Sequence, residues 1–99
     1  MKTLLDDLNK AFENRIRLGI MSVLIVNESV DFNTLKETLA LTDGNLASHL
    51  SALEKLEYIK VYKQFIGKKP NTSYSCTPAG KEAFNNHLNA LEKLIKNRE

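Results

Sequence analysis

The spacing of apolar residues changes sharply after Glu57, and this change constrains the fold more than any other feature of the sequence. Before Glu57, apolar residues recur at intervals of three and four, which is the spacing of amphipathic helices. After it, Ile59 and Val61 alternate with polar neighbours at the period of a strand. A second alternating run passes through Tyr74 and Cys76. The sequence therefore predicts a helical region followed by a two-stranded hairpin.

Helices are predicted on both sides of this hairpin. Helical spacing covers residues 3–12, 16–26, 33–39, 43–57 and 78–97. Asn33 and Thr42 are the expected N-caps of the third and fourth helices, because their side chains can accept a hydrogen bond from a free backbone N–H. Thr77 and Pro78 predict the start of the last helix, since proline at the first helical position loses no hydrogen bond.

The order of these elements predicts the architecture. Residues 33–57 hold two short helices joined by a tight turn, which is typical of a helix-turn-helix. A hairpin at residues 58–77, with a loop at 65–71 indicated by its glycine and proline, would add a wing. We expect a mainly α fold with a small β-hairpin (α+β), a winged helix-turn-helix. Residues 1–99 form one domain, because a chain of 99 residues has room for one core.

Several classes of protein are disfavoured by the residues present. Cys76 is the only cysteine and His49 and His87 are the only histidines, so we expect no metal site and no cofactor. No nucleophile paired with a base and no glycine-rich phosphate loop is found, so we do not expect an enzyme. No apolar run reaches the roughly 18 residues of a membrane span. The sequence predicts a cytoplasmic protein.

Positive charge is concentrated in the hairpin. Residues 58–81 contain five lysines and no acid, whereas residues 1–57 carry a net charge of −3 and residues 82–99 balance. A basic segment containing Tyr58, Tyr62, Phe65 and Tyr74 is suited to attract phosphate. Lysines that protect the edges of a solvated hairpin would give the same pattern. Both interpretations remain open from the charge alone.

The fourth predicted helix has one apolar face and one small, polar face. Projected at about 100° per residue, Leu46, Leu50 and Leu53 share the inner arc. The opposite arc and its flank hold Gly44, Asn45, Ser48, Ser51 and Lys55. We expect Asn45 to be the base reader, because its amide can pair bidentately with adenine. Solvent-facing residues that favour turns and caps would also explain this face, and packing is an alternative role for the partly exposed His49.

Four segments in order, 17–21, 41–50, 67–72 and 77–81, carry a resemblance that covers about residues 14–95. They resemble the small winged-helix transcriptional regulators of the MarR/ArsR-like superfamily, in particular the stand-alone winged helix DNA-binding domain family. The resemblance implies a prokaryotic regulator that binds double-stranded DNA as a homodimer, with the fourth helix in the major groove and the wing on the minor groove or backbone.

The DNA-binding residues are assigned from the resemblance together with the charge pattern. The resemblance implies a recognition surface of Gly44, Asn45, Ser48 and His49, a wing surface of Lys68, Lys69, Asn71 and Thr72, and phosphate clamps at Arg15 and Arg17. Ser51, Lys55 and Lys63 are added from the exposed helix arc and the basic segment. Two residues depart from the family. Glu57 stands where glycine with positive φ is usual, so we expect strain or an altered turn there. Asn71 stands where arginine is usual.

Apolar stripes at both ends of the chain predict a homodimer. The stripe of the first helix holds Leu4, Leu5, Leu8 and Phe12, and that of the last helix holds Phe84, Leu88, Leu91 and Ile95. We expect the last-helix stripe of one chain to pack on the first-helix stripe of the other. Packing of both stripes within one chain would instead give a monomer.

Two functions from different classes fit this sequence. One is a sequence-specific transcriptional regulator acting on double-stranded DNA. The alternative is a winged-helix adaptor that uses the same faces to bind another protein. A small-molecule effector between the terminal helices and the winged core is a further expectation, but no cluster of residues identifies its site.

Overall fold

Helices alternate with a small sheet in the computed structural model, which describes residues 3–96. The helices are α1 (Arg15–Leu24), α2 (Phe32–Leu39), α3 (Asp43–Lys55) and α4 (Pro78–Lys96), and the strands are β1 (Val30–Asp31), β2 (Ile59–Ile66) and β3 (Lys69–Cys76). The sheet is antiparallel with the order β1-β3-β2. This confirms the predicted winged helix-turn-helix class. Residue 97, the predicted end of the last helix, lies outside the described residues.

Polar side chains cap the N-termini of three helices. The Asn14 side chain accepts hydrogen bonds from two N–H groups in the first turn of α1. The Thr42 hydroxyl accepts one from the Asn45 N–H at 3.2 Å and begins α3, as predicted. The Thr77 hydroxyl accepts one from the Gly80 N–H at 2.9 Å at the start of α4. Each cap satisfies a backbone donor that the helix leaves free.

The prediction that Asn33 caps α2 is wrong, because the cap is Asp31. The Asp31 carboxylate accepts a hydrogen bond from the Thr34 N–H at 2.7 Å, and the Asp31 backbone is extended, as an N-cap requires. The Thr34 side chain, the Thr34 N–H and the Asn71 side chain together hold the pKa of Asp31 below its usual value against the opposing effect of burial. Asp31 thus connects α2 to the wing.

The predicted helix at residues 3–12 is absent. Two short 3-10 turns, Leu4–Asp7 and Lys10–Phe12, stand in its place, separated by extended backbone at Leu8. The Asn9 N–H donates to Nδ1 of the buried His87 at 3.0 Å. Because this N–H bonds to a side chain, it makes no helical hydrogen bond to a preceding carbonyl. The Asn9 side chain also begins the second turn by accepting from the Ala11 N–H. The N-terminal segment therefore folds onto α4 of its own chain.

This intrachain packing corrects two predicted dimer contacts. Phe12 and Phe84 are buried in one core, with their ring centroids 5.3 Å apart in an edge-to-face arrangement. The His87 ring packs on the same face of the segment, with its centroid 5.5 Å from that of Phe12. Neither phenylalanine therefore offers surface to a second subunit.

The strands of the hairpin are longer, and its turn is shorter, than predicted. Its strands join through a two-residue turn, Gly67 and Lys68, instead of a loop at 65–71. Gly67 has a φ of +65°, which glycine adopts without a steric cost at the first position of such turns. Pro70 fits in β3 because β1 reaches only Ser73 and Tyr74, which leaves the proline on a free edge.

One core holds the helices against the sheet. The prediction that Leu46, Leu50 and Leu53 are buried is confirmed. They pack in one apolar cluster whose other buried members are Phe12, Ile20, Met21, Leu24, Val30, Leu35, Ile59, Tyr74 and Phe84. α1 ends at Leu24, two residues before the predicted end, and the chain then enters β1. None of the helices within residues 3–96 is long and apolar enough to cross a membrane.

A compact junction fixes the base of the wing. The Tyr58 carbonyl accepts a hydrogen bond from the Thr77 N–H at 3.0 Å, and the Glu57 carbonyl accepts one from the Thr77 hydroxyl at 2.7 Å. A Cβ atom at Gly80 would overlap the Tyr58 carbonyl oxygen, so only glycine permits this approach of α4. Glu57 has a φ of +63°, which confirms the strain expected from a side chain at this position.

Replacing Glu57 by glycine should stabilise the protein. We expect Glu57→Gly to raise the free energy of unfolding by about 0.5–1 kcal/mol, because glycine adopts positive φ without the Cβ clash. Urea denaturation measures the change. Glu57→Ala is the matched control, since it removes the same exposed side chain but keeps Cβ. An equal gain in both variants would show that the side chain, and not the backbone, is the source.

Replacing Asp31 should give a destabilisation that depends on pH. Asp31→Ala should lower the free energy of unfolding by about 1 kcal/mol at neutral pH through loss of the cap. Because folding lowers the pKa of Asp31, its contribution is complete above the unfolded value of about 3.9 and is lost as the pH falls through the folded value. The difference in free energy of unfolding between wild type and Asp31→Ala should therefore shrink as the pH falls. Urea denaturation across this pH range measures it.

Asp31→Ser is the control for this titration. Serine keeps an oxygen that can cap α2 but does not ionise in this range, so its variant should stay close to wild type at neutral pH. If the free energy of unfolding differed between wild type and Asp31→Ala by the same amount down to strongly acidic pH, the assigned role of the carboxylate would be contradicted.

Candidate nucleic-acid interface

The outer face of α3 consists of small and polar side chains. Besides the exposed Asp43, Ala47 and Glu54, burial of its leucines leaves five exposed positions on the opposite side, namely Gly44, Asn45, Ser48, Ser51 and Lys55. These are the positions that the helical projection assigned to this face. Within the described part of the chain, no hydrogen bond engages the Asn45 side chain, whose backbone N–H is capped by Thr42. The amide is therefore free to contact a ligand.

The turn between α2 and α3 holds this face at a fixed angle. Ala40 ends α2 in the left-handed conformation, with a φ of 53°. Asp43, in the first turn of α3, forms an ion pair with Lys36 of α2 at 2.8 Å. A carboxylate at this position also interacts favourably with the helix dipole. Both side chains are substantially exposed, so the ion pair orients the helices more than it stabilises them.

The wing stands beside the outer face of α3. A groove of about 170 Å³ separates them, with Ala47, Leu50, Ser51 and Glu54 on the helix and Val61, Lys63 and Tyr74 on the hairpin. Two residues assigned to DNA binding from different elements, Ser51 and Lys63, therefore line one surface. Tyr74 forms the base of this groove, where burial and then the nearby Glu54 raise the pKa of its hydroxyl.

The lysines of the wing are available to a ligand. Lys60, Lys63, Lys68 and Lys69 are exposed. Among residues 3–96, none of them forms an ion pair; the salt bridges within that range join Lys36 to Asp43 and Lys96 to Glu92. Their positive charge is uncompensated by direct contacts and extends along the hairpin.

Arg17 connects three parts of the chain through side-chain hydrogen bonds to His49 and Ala11, an arrangement called the brace below. Nη1 of Arg17 lies 3.1 Å from Nδ1 of His49, while Nε of Arg17 donates to the Ala11 carbonyl at 2.6 Å. Since arginine can only donate, Nδ1 of His49 accepts and the ring proton is on Nε2. The brace connects α3, α1 and the N-terminal segment. Arg15, in contrast, is exposed at the start of α1.

Asn71 and Thr72, the other wing residues predicted to bind DNA, are less exposed than the lysines. The Asn71 side chain lies beside Asp31 and contributes to the lowered pKa of its carboxyl group, and both Asn71 and Thr72 are half-buried. Asn71 is therefore less available to DNA than its expected role requires. No periodic pattern in the sequence indicates this contact, which joins residues far apart in the chain.

A second exposed surface is apolar and lies on the terminal segments. Five of the residues predicted for the dimer contribute to it, namely Leu4, Leu5, Leu88, Leu91 and Ile95. Leu5 is 64% exposed and Ile95 is 77% exposed, while Leu8 is half-buried. The first N-terminal turn, Leu4–Asp7, packs on α4 of the same chain, so exposed residues of both predicted stripes lie on neighbouring elements.

Other features of the described residues bear on ligands. A groove of about 710 Å³ runs between the end of α1, α2 and the back of the wing, a position different from the one expected for an effector. Within residues 3–96, no three His, Cys, Asp or Glu side chains are placed to hold a metal ion. Burial raises the pKa of the Cys76 thiol, against the opposing effect of Lys81.

Sequence reasoning missed the exposed apolar residues at the wing tip. Phe65 and Ile66 were expected to lie in a loop, with Phe65 also noted as an aromatic residue of the basic segment, but they end β2 with 74% and 61% of their surfaces exposed. Phe65 and Ile66 follow the last residues of β2 that face the core. This position was the signal that could have predicted their exposure.

Comparison with known proteins identifies the family. A model of the family described as "Winged helix DNA-binding domain" matches residues 16–95. An uncharacterized protein of Methanocaldococcus jannaschii is 38% identical over 90 residues, which cover 91% of this chain and 98% of that protein. The structure of a transcriptional regulator homologue from Pyrococcus horikoshii OT3 is 34% identical, covers 93% of both chains and gives a TM-score of 0.84.

A more distant structure shares the fold. A MarR-like transcription regulator from Bacillus cereus ATCC 10987 is 20% identical, with a TM-score of 0.71 over 94% of this chain and 69% of the other. The resemblance predicted from the four sequence segments is confirmed. The chain belongs to the winged helix DNA-binding domain family and has the winged-helix fold of MarR-like transcriptional regulators.

Proposed function

We propose that this protein is a sequence-specific transcriptional regulator that binds double-stranded DNA as a homodimer. The observation that carries the proposal is the single surface formed by the exposed polar face of α3 and the uncompensated lysines of the wing. In this arrangement α3 enters the major groove, and the wing lies on the minor groove or the backbone. Such a regulator acts in the cytoplasm.

The side chains of α3 suit close approach to base edges. Gly44, Ser48 and Ser51 are small, so the helix can lie deep in a major groove about 12 Å wide. Asn45 stands in the first turn of the helix, where helix-turn-helix proteins contact bases. Its free amide can pair with N6 and N7 of adenine, which the serine hydroxyls would supplement with single bonds.

Cations around this face supply contacts to phosphate. Such contacts fix the orientation of a protein on DNA and provide most of its salt-dependent affinity. The proposed phosphate contacts are Arg15, Lys55, Lys63, Lys68 and Lys69, all of which are exposed. Arg17 and His49 act as positioning residues through their brace, and Asn71 and Thr72 are half-buried residues of β3.

Asn45→Ala tests the assignment of the base reader. The substitution should weaken binding to the preferred site by about 1–3 kcal/mol and leave binding to unrelated duplexes nearly unchanged. Competition binding at fixed salt concentration measures both quantities. The control is Asn85→Ala, which removes an exposed amide from α4, away from α3 and the wing. If Asn45→Ala preserved the preference between the two duplexes, another residue would have to read the sequence.

We propose that the apolar surface of the terminal segments forms the two-fold dimer contact. Leu88, Leu91 and Ile95 recur at intervals of three and four along α4, the spacing of helix pairs that pack side by side. An exposed apolar surface of this kind is costly in water unless another surface covers it. A second copy of the chain offers the same surface, and a two-fold dimer matches the symmetry of an inverted DNA repeat.

Two negative charges on this surface should separate the subunits. We expect the double variant Leu88→Glu with Ile95→Glu to sediment as a folded monomer, because burying the carboxylates in an apolar contact is unfavourable. Analytical ultracentrifugation and circular dichroism measure mass and folding. The control is the double variant Asn33→Glu with Thr38→Glu, which places two charges on exposed sites of α2, away from the terminal segments, and should leave the dimer intact. A wild-type protein that sediments as a monomer at all concentrations would contradict the proposed dimer.

The adaptor interpretation makes a different prediction about DNA. A protein that uses these faces for a protein partner would bind duplex DNA weakly and with little dependence on salt concentration. A small-molecule effector remains a prediction with no assigned site.

A further inference from the structure

We propose that Phe65 is an apolar wedge that the wing inserts between neighbouring base pairs from the minor groove, so that binding bends the DNA. This inference rests on the proposed function and adds to it a residue and a deformation of the ligand. Proteins that bend DNA from the minor groove commonly insert an apolar side chain between base steps, and phenylalanine is among the residues used.

Exposure is the first argument for this role. Phe65 is 74% exposed at the end of β2, beyond the last residues of the strand that pack on the core. Ile59 is buried and Val61 is half-buried, whereas every residue from Tyr62 to Lys69 is exposed. The ring therefore contributes little to the stability of the folded chain. An aromatic side chain held out by a hairpin is available to a ligand.

The direction of the side chain is the second argument. Val61 and Lys63 line the groove next to α3, and residues two apart on a strand share a face. Phe65 consequently lies on the same face of the hairpin as Lys63, the face turned towards α3. Ile66 lies on the other face and lines the groove behind the wing with Val26. Of the two exposed apolar residues, Phe65 is the one directed towards a duplex held by α3.

The support beneath the ring is the third argument. Phe65 pairs with Pro70 across the hairpin, and the two strands join through a turn of only two residues. Proline restricts its own backbone, and a short turn limits the freedom of the tip. A side chain carried on such a tip loses little conformational entropy on insertion.

Charge complementarity identifies the ligand as nucleic acid. Lys68 and Lys69 follow Phe65 at the tip, and Lys63 lies on its own face. No acid occurs anywhere between residues 58 and 81. Cations on both sides of an exposed ring match a ligand that has phosphates on both sides of stacked bases.

The wing offers no arginine to a minor groove. No arginine occurs between residues 58 and 81, and the half-buried Asn71 lies beside Asp31. Insertion of arginine into a narrow minor groove is therefore unavailable to this wing. The lysines can contact phosphate, and Gln64 lies on the other face of the strand. Phe65 is the exposed aromatic side chain at the tip on the face turned towards α3.

The test uses duplex DNA enriched from random sequence by the wild-type protein and labelled with a fluorescent dye at each end. Energy transfer between the dyes reports bending at saturating protein. Phe65→Ala should abolish the increase in energy transfer and weaken binding by about 5- to 150-fold, the range found for loss of an aromatic–base stack. The dependence of its affinity on salt should equal that of wild type, because no phosphate contact is removed.

Two further variants separate stacking from charge and from folding. Lys68→Ala combined with Lys69→Ala should reduce the salt dependence but retain the bend at saturation. Phe65→Trp introduces a tryptophan into a chain that has none, and stacking on bases should quench its emission. Thermal unfolding of Phe65→Ala should match wild type, since the ring lies outside the core.

The outcomes distinguish the wedge from the proposed function. If wild type binds with sequence preference but Phe65→Ala bends and binds the duplex equally well, or the emission of Phe65→Trp is unchanged at saturation, the wedge is wrong and the proposed function stands. A wild-type protein that enriches no duplex overturns both.

Discussion

Burial of one face of α3 is the constraint on which the rest of the structure depends. Leu46, Leu50 and Leu53 pack against apolar side chains from α1 and the sheet. This packing determines which side of the helix faces outward. A rotation about the helix axis would bury serine and asparagine and expose leucine, at a cost of several kcal/mol in lost burial. The polar face is consequently as fixed as the core, which is the condition for selective contact with bases.

The wing is positioned by contacts at its base. Thr77 donates to two successive carbonyls where the chain leaves α3, and Gly80 lets α4 pass directly over the same segment. At the other side, Asp31 caps α2 and pairs with Ser73 of β3. The hairpin can therefore project exposed lysines and an aromatic ring while its base remains anchored. The strained Glu57 backbone lies within this junction, held by the surrounding hydrogen bonds.

Local signals predicted most of the fold, whereas contacts between distant residues were missed. The period of apolar residues gave the helices, and Thr42 and Thr77 marked two helix starts correctly, because a cap acts within one turn. The helix predicted at residues 3–12 failed because Asn9 bonds to His87, a residue far along the chain. Asp31–Asn71 and Arg17–His49 are likewise long-range pairs, and side-chain spacing carries no information about them.

The central claim is that α3 and the wing form one surface that recognises duplex DNA on a two-fold axis. Selection of bound duplexes from random sequence, with the affinity of the enriched duplex measured across salt concentration, tests it most directly. The account predicts an inverted repeat with half-sites about one helical turn apart and an affinity that falls steeply with salt. Absence of any enriched sequence, together with an affinity that hardly changes with salt, would contradict it.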